Sequence, residues 1–345
     1  MPAIITAFRS TDQASQLPTI LWDRARAKLG RNTERALSIP SELALRVMNH
    51  KTWSRAVPQF AAQQSGGNAS HALSAHSSEI VLGLERDGVF ATTLDELAVP
   101  GGDAVMTNAT EIANRLMARS AAMREHRPIV AATAQDFLDF PHLFQWGLSA
   151  TLLDIVETYL GQTCAYDGLE AFCSRPDGRE TSTRLWHRDR EDTKMVKVAI
   201  YLNDVDTNGG PFEILHPTFQ TALEAKLSWR YEAISDVHLK AMSPTGDHSV
   251  LTHSLTGPKG TVIVVDPARC HHRGKPPTKS ARSAIFYSYF ARVPRHPFCC
   301  ERSPLSRAQR TLLAAQLPAR ARECVQWREA LPLSARLIPR NRLSV

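Results

Sequence analysis

The sequence predicts a mainly β fold, a sandwich or barrel of short strands with flanking helices. Apolar residues recur at helical spacing up to about residue 164. Beyond that point, short segments rich in β-branched and aromatic residues alternate with turn-rich spacers. No internal repeat is visible. Several short strands with such spacers are typical of all-β sandwiches and barrels.

The 345 residues divide into three predicted parts. Residues 1–78 are expected to form a helical N-terminal extension, with apolar residues at helical spacing over 18–62 and a polar linker over 63–78. Residues 79–300 are expected to form the compact domain, and residues 301–345 an arginine-rich helical tail packed on its core. A chain of this length can bury a core without disulfides, so the six cysteines are predicted to be reduced.

A short helix, a turn at Asp87-Gly88 and a strand are predicted near the start of the compact domain, and two further helices and four further strands follow. Asn108 and Glu111 form a capping-box pattern that predicts the start of one helix. Gly161 is placed to end a second helix at its C′ position. The turn signal at 206–210 predicts an antiparallel hairpin between the first two of the four further strands. These four strands are MVKVAIYL (195–202), PFEIL (211–215), TVIVV (261–265) and SAIFYSYFA (283–291).

The net charge of +7 lies almost wholly in the tail, where nine arginines face three glutamates. We interpret these arginines as a solvated helical face, with an anionic partner or lipid surface as the alternative. No nucleic-acid motif is present, so a nucleic-acid partner is not expected. The first residues do not resemble a secretory signal, and no apolar run reaches the length of a membrane span, which predicts a soluble cytoplasmic protein.

Two short segments could hold a metal ion. In an extended segment, His187 and Asp189 project from the same face. Farther along, His271 and His272 follow an apolar strand, and Arg282 enters the next one. Two imidazoles and a carboxylate make a facial triad that leaves coordination sites open on non-haem Fe(II). A fixed arginine can bind the distal carboxylate of a 2-oxo acid through paired hydrogen bonds.

Taken in order, WHRD, VKVAIYLNDV, NGGPFEIL and GTVIVVDPARCHHRG, with an arginine on the next strand, resemble the phytanoyl-CoA dioxygenase (PhyH) family. The resemblance covers roughly residues 80–292. It implies a double-stranded β-helix core, the cupin-like jelly roll. The chain departs from the family pattern where Leu215-His216-Pro-Thr replaces Pro-Gly-Ser-His, and nothing matches residues 1–78 or 301–345.

The resemblance implies an Fe(II)- and 2-oxoglutarate-dependent dioxygenase that uses O₂ and releases succinate and CO₂. It maps the catalytic iron ligands onto His187, Asp189 and either His271 or His272, of which the family pattern favours His272. Arg282 would bind 2-oxoglutarate, with Lys197 as a further contact. Halogenating members of the family have Gly or Ala at the position of Asp189, so its aspartate resembles the hydroxylating branch. Hydroxylation of an unactivated C–H of a small-molecule or lipid-like substrate is therefore expected. The alternative is a jelly-roll metal- or ligand-binding protein without oxygenase activity.

Overall fold

The computed structural model describes residues 38–49, 71–123, 127–244 and 246–338. Residues 38–48 form a helix, α1, which belongs to a separate unit of the chain. Residues 71–337 belong to one compact unit. Most of the predicted extension and linker lies outside the described residues, and the two boundaries between the three predicted parts stay a prediction.

The compact unit is a mixed α/β structure, and its helices hold more residues than its strands. The expected share of β structure was therefore too high, because many helices pack against one face of the larger sheet. The helices are α2 (Ala75–Asp87), α3 (Leu94–Leu97), α4 (Gly102–Ala122), α5 (Ala134–Leu138), α6 (Pro141–Trp146), α7 (Ala150–Leu160), α8 (Pro217–Glu224), α9 (Asp236–Met242), α10 (Arg307–Ala314), α11 (Ala319–Val325) and α12 (Leu333–Leu337).

The strands form two antiparallel sheets within the described residues. They are β1 (Val89–Thr93), β2 (Ile129–Ala131), β3 (Cys164–Ser174), β4 (Met195–Tyr201), β5 (Phe212–Leu215), β6 (Thr252–Leu255), β7 (Thr261–Val265), β8 (His272–Gly274) and β9 (Arg282–Ala291). The larger sheet has the order β1-β7-β4-β9-β3-β2, and the smaller has the order β6-β5-β8. The four further strands predicted from the sequence are all present.

The two faces of the larger sheet pack against different partners. Val196, Val198 and Ile200 of β4 join the core beneath the helices. Ala199 and Tyr201 join a second core shared with β5 of the smaller sheet. Each fully buried Val or Ile side chain contributes about 1.5–3 kcal/mol to stability. The face toward the smaller sheet, called the inner face below, is the one that carries the candidate site.

Two helices end at glycines in the left-handed conformation. Gly161 ends α7 in the left-handed conformation with φ 71°, which confirms the prediction for that residue. Gly88 ends α2 in the same way with φ 77°, and β1 follows directly. By contrast, α4 begins at Gly102, so the capping-box prediction was wrong. Asn108 lies inside that helix, where its side-chain amide contacts His142.

The predicted hairpin between β4 and β5 was also wrong, because the two strands lie in different sheets. The turn signal is real. Oδ1 of Asp206 accepts hydrogen bonds from the backbone N–H groups of Asn208 (2.9 Å) and Gly209 (2.6 Å). Gly210 then adopts φ 75°. The turn therefore carries the chain across from one sheet to the other rather than back along β4.

Among the described residues, no helix is both long and apolar enough to cross a bilayer.

Candidate metal centre

Backbone pairing places His187 directly opposite His272. The N–H of His187 donates to the carbonyl of His272 (3.0 Å), and the N–H of His272 donates back to the carbonyl of His187 (2.9 Å). Such a reciprocal pair fixes the register of two antiparallel segments. The two imidazole centroids are consequently 4.4 Å apart. The N–H of Asp189 donates to the carbonyl of Pro267 (3.0 Å), which anchors the third residue to the same segment.

The ligand atoms of these three residues converge on one point. Nε2 of His187 lies 3.9 Å from Oδ1 of Asp189, and Nε2 of His272 lies 4.0 Å from the same oxygen. All three residues are buried, and their ligand atoms lie within 4.8 Å of one another. The structure therefore brings together the three residues that the sequence analysis favoured as ligands.

The histidines have the hydrogen bonding that metal ligands need. Nδ1 of His187 faces the carbonyl of Leu185 (2.8 Å), and Nδ1 of His272 faces the carbonyl of Cys270 (3.3 Å). An Nδ1–H donated to a carbonyl leaves the lone pair on Nε2, the atom that points toward Asp189. Burial lowers the pKa of His187 to about 4 and that of His272 well below its usual range. Both rings are therefore neutral near pH 7.

Asp189 is a buried carboxylate whose charge is met by ion pairs. Both of its oxygens are buried, and the described residues meet them through ion pairs. Lys197 lies 2.5 Å from Oδ2, and Arg302 lies 3.6 Å from Oδ1. Burial alone would raise the pKa of Asp189, but these two cations hold it below its usual range. The site thus presents an ionised carboxylate beside two neutral imidazoles, a donor set that suits a divalent cation.

His271, the alternative ligand, points away from this group. Its Nδ1 lies 3.0 Å from Oε1 of Gln220, and its Nε2 lies 3.1 Å from the carbonyl of Glu232. Successive residues of an extended segment project to opposite sides. Since His272 faces Asp189, His271 cannot do so in the same register.

Arg282 lies on the inner face, near the end of the smaller sheet. One of its terminal nitrogens donates to the carbonyl of Gly210. The other terminal nitrogen of Arg282 occupies the space beside Gly274. A Cβ built on Gly274 would lie only 2.1 Å from this nitrogen, so no other residue type fits at position 274 without moving the guanidinium. Gly274 and His272 are two residues apart on β8 and share a face. The absence of a side chain at Gly274 therefore leaves space for the Arg282 guanidinium beside β8, the strand that carries His272.

Lys197, the other predicted 2-oxoglutarate contact, projects from the inner face of β4 and is paired with Asp189. Its neighbour Arg302 was missed by the sequence analysis. Arg302 comes from the unmatched tail, and its Nε lies 2.6 Å from Oε1 of Glu191. Burial raises the pKa of Glu191 to about 7, against the lowering effect of Arg302. No sequence motif pointed to Arg302. The two residues lie more than a hundred positions apart in the sequence, so only the folded structure shows that Arg302 lies near Asp189.

A second group of potential ligands among the described residues is already satisfied. Glu157, Cys164 and Cys324 also lie within 4.8 Å of one another. However, Glu157 accepts hydrogen bonds from Arg320 (2.7 Å) and from the N–H of Cys164 (3.1 Å). The contact with Cys324, together with burial, raises the pKa of Cys164 well above its usual range. The raised pKa of Cys164 and the occupied carboxylate of Glu157 do not favour a metal ion at this place.

Comparison with known proteins finds similarity among solved structures only. No protein-family model matches the chain, and no curated protein matches it. AviO1 from Streptomyces viridochromogenes Tue57 is 16% identical, with 64% of this chain and 96% of AviO1 covered and a TM-score of 0.41. EctD from S. alaskensis, solved with 2-oxoglutarate and 5-hydroxyectoine, is 17% identical over 68% and 81% of the two chains, with a TM-score of 0.42. HygX from Streptomyces hygroscopicus, solved with nickel and 2-oxoglutarate, is 13% identical over 64% and 88%, with a TM-score of 0.43. The function proposed below therefore rests on this chain's own residues.

Proposed function

We propose that this protein is an Fe(II)- and 2-oxoglutarate-dependent dioxygenase with a double-stranded β-helix core. It would hydroxylate an unactivated C–H of a small-molecule or lipid-like substrate and release succinate and CO₂. His187, Asp189 and His272 would hold the iron, and Arg282 would bind 2-oxoglutarate, with Lys197 as a second contact.

The arrangement of the triad carries this proposal. Two neutral imidazoles expose their Nε2 atoms to one buried, ionised carboxylate, and the ligand atoms of the three residues lie within 4.8 Å of one another. A site with two histidines and one carboxylate on one side of the metal is the arrangement that non-haem iron oxygenases use. When bound, the iron would supply the activation of O₂.

The protein's own groups have separable tasks. The carbonyls of Leu185 and Cys270 orient the two imidazoles, so that the lone pairs stay on Nε2. The guanidinium of Arg282 offers planar paired donors that match the distal carboxylate of a 2-oxo acid. The nearly complete burial of the triad excludes water, which strengthens electrostatic interactions and protects reactive species from side reactions.

The second candidate is a jelly-roll metal- or ligand-binding protein without oxygenase activity, and one observation favours its ligand-binding form. Lys197 and Arg302 already compensate the charge of Asp189. The carboxylate therefore needs no metal ion for electrostatic balance, as in a site that has lost its catalytic role. Succinate formation from 2-oxoglutarate separates the two candidates, since only the first consumes the co-substrate.

The test combines binding with turnover. Under anaerobic conditions, Fe(II) plus 2-oxoglutarate should give a weak visible charge-transfer band, and admission of O₂ should release succinate even without a substrate. H187A and D189A should abolish both signals, as should H272A. H271A is the matched control and should keep the band, provided that it folds. A band that survives H187A and D189A would refute the triad, and a band without succinate would favour the second candidate.

A further inference from the structure

The arginine-rich tail lines an open cavity of its own. Its volume is about 290 Å³, and all of its lining residues belong to the segment 301–336. The walls include four arginines, Arg307, Arg310, Arg328 and Arg336, together with Trp327 and Glu301. The expectation of a solvated arginine face was therefore wrong for Arg310, which is only 3% exposed.

Three of these guanidinium groups converge on one buried carboxylate. Glu301 pairs with Arg307 (2.5 Å), Arg328 (2.5 Å) and Arg310 (3.3 Å). One carboxylate cannot neutralise three cations. Asp167 lies behind Arg310 at 3.4 Å and compensates part of the charge.

The walls keep an excess of positive charge. Four lining arginines face two lining glutamates, the second being Glu329, and Asp167 reduces the excess to one positive charge. An anion that entered the cavity would compensate this excess of positive charge.

We propose that this cavity binds a small phosphate ester through its phosphoryl group. Guanidinium groups recognise phosphate oxygens through paired, charge-assisted hydrogen bonds. A phosphoryl group carries almost two negative charges and three acceptor oxygens, so it can serve several guanidinium groups that approach from different sides. The cavity is at the small end of the range for ligand sites, which favours a compact ester over a nucleotide. Arg328 stacks over Trp327 at 4.8 Å, which holds this wall in place.

The proposal is tested by titrating the full-length protein with three probes at constant ionic strength, measured by calorimetry. The probes are glycerol phosphate, inorganic phosphate and succinate. R307Q and R336Q change exposed arginines on the cavity rim, and R322Q changes an exposed arginine of the same tail that does not line the cavity. Each rim variant should weaken phosphate-ester binding about tenfold, the loss expected for one charge-assisted contact. R322Q should bind like the wild type.

The outcomes separate the possible ligands. Tighter binding of the ester than of inorganic phosphate supports the proposal, whereas succinate binding as tight as the ester would overturn the phosphoryl assignment. Equal affinities in R307Q, R336Q and the wild type, or no measurable heat with any probe at millimolar concentration, would refute the site. Binding should persist in H187A, because no residue of the triad lines this cavity.

Discussion

The ammonium nitrogen of Lys197 lies 2.5 Å from Oδ2 of Asp189, and the carboxylate is almost fully buried. The proposed metal and the lysine would therefore share one anion. Lys197 projects from the same face of β4 as Ala199 and Tyr201, so it faces the space between the two sheets. The charge balance of the site thus depends on a strand that supplies no metal ligand.

Removal of that ammonium group in K197M should destabilise the protein most when no metal is present. Loss of one partner from a buried pair costs about 3–5 kcal/mol, because the remaining charge is left uncompensated. A divalent cation on Asp189 replaces the lost charge, so the fall in Tm should be clearly smaller with saturating Mn(II) than with a chelator. Thermal melts under both conditions make the comparison. K194M is the control, since Lys194 forms an exposed pair with Glu85. Equal falls in Tm under both conditions would mean that Lys197 and the metal do not share Asp189.

Substitution of Gly274 by alanine should weaken 2-oxoglutarate binding without removing the iron. The added Cβ would lie 2.1 Å from a terminal nitrogen of Arg282, so the guanidinium would have to move. Loss of a charge-assisted pair costs about 1.5–3 kcal/mol, which is roughly 10- to 100-fold in KM for 2-oxoglutarate. Anaerobic Fe(II) affinity should stay within about threefold of the wild type. The control is G102A, whose new Cβ would meet only Leu94 at 3.9 Å. An unchanged KM in G274A would argue against Arg282 as the anchor.

The buried carboxylate of Asp266 should make stability depend on pH. Burial raises the pKa of Asp266 to about 6, although hydrogen bonds from Tyr159 and the backbone oppose this rise. Between about pH 4 and 6 the folded state binds more protons than the unfolded state, so the free energy of unfolding falls as the pH rises. The total loss is about 3 kcal/mol. Urea unfolding across pH 4–7 should show this loss in the wild type relative to D266N. Parallel curves for the two proteins would contradict the raised pKa, whatever the constant offset between them.

The six cysteines should be unreactive in the folded protein. All are free and buried, and burial raises the pKa of Cys270 to about 12. The thiolate is the reactive form, so Ellman's reagent should label none of them rapidly in buffer and all six in guanidinium chloride. A rapidly labelled thiol in buffer would contradict the packing. Fewer than six in denaturant would indicate a disulfide, for which Cys164 and Cys324, with sulfurs 3.7 Å apart, are the nearest candidates.

Sequence patterns of a few neighbouring residues correctly predicted those strands and turns that depend only on such neighbours. The strand Thr261–Val265 has the predicted bounds, because five consecutive β-formers stand between turn residues. Asp266, directly after this strand, forms an Asx-type turn, with Oδ1 accepting from the N–H of Ala268 (3.0 Å). The start of α4 and the partner of β5 were predicted wrongly. A capping pattern is also compatible with a helix interior, and a turn signal does not say which sheet the chain enters next.

By itself, the sequence determined the composition of the candidate site: a histidine and an aspartate two residues apart, a distal histidine pair and an arginine on the following strand. Which of His271 and His272 faces Asp189 depends on strand register, and only the tertiary structure, through the backbone pairing of His187 with His272, shows that it is His272. The position of Arg302 beside Asp189, and of four arginines around one cavity, likewise came from the tertiary structure. Side-chain alternation and helix periodicity are properties of a few neighbouring residues. Contacts between residues more than a hundred positions apart depend on how the whole chain packs.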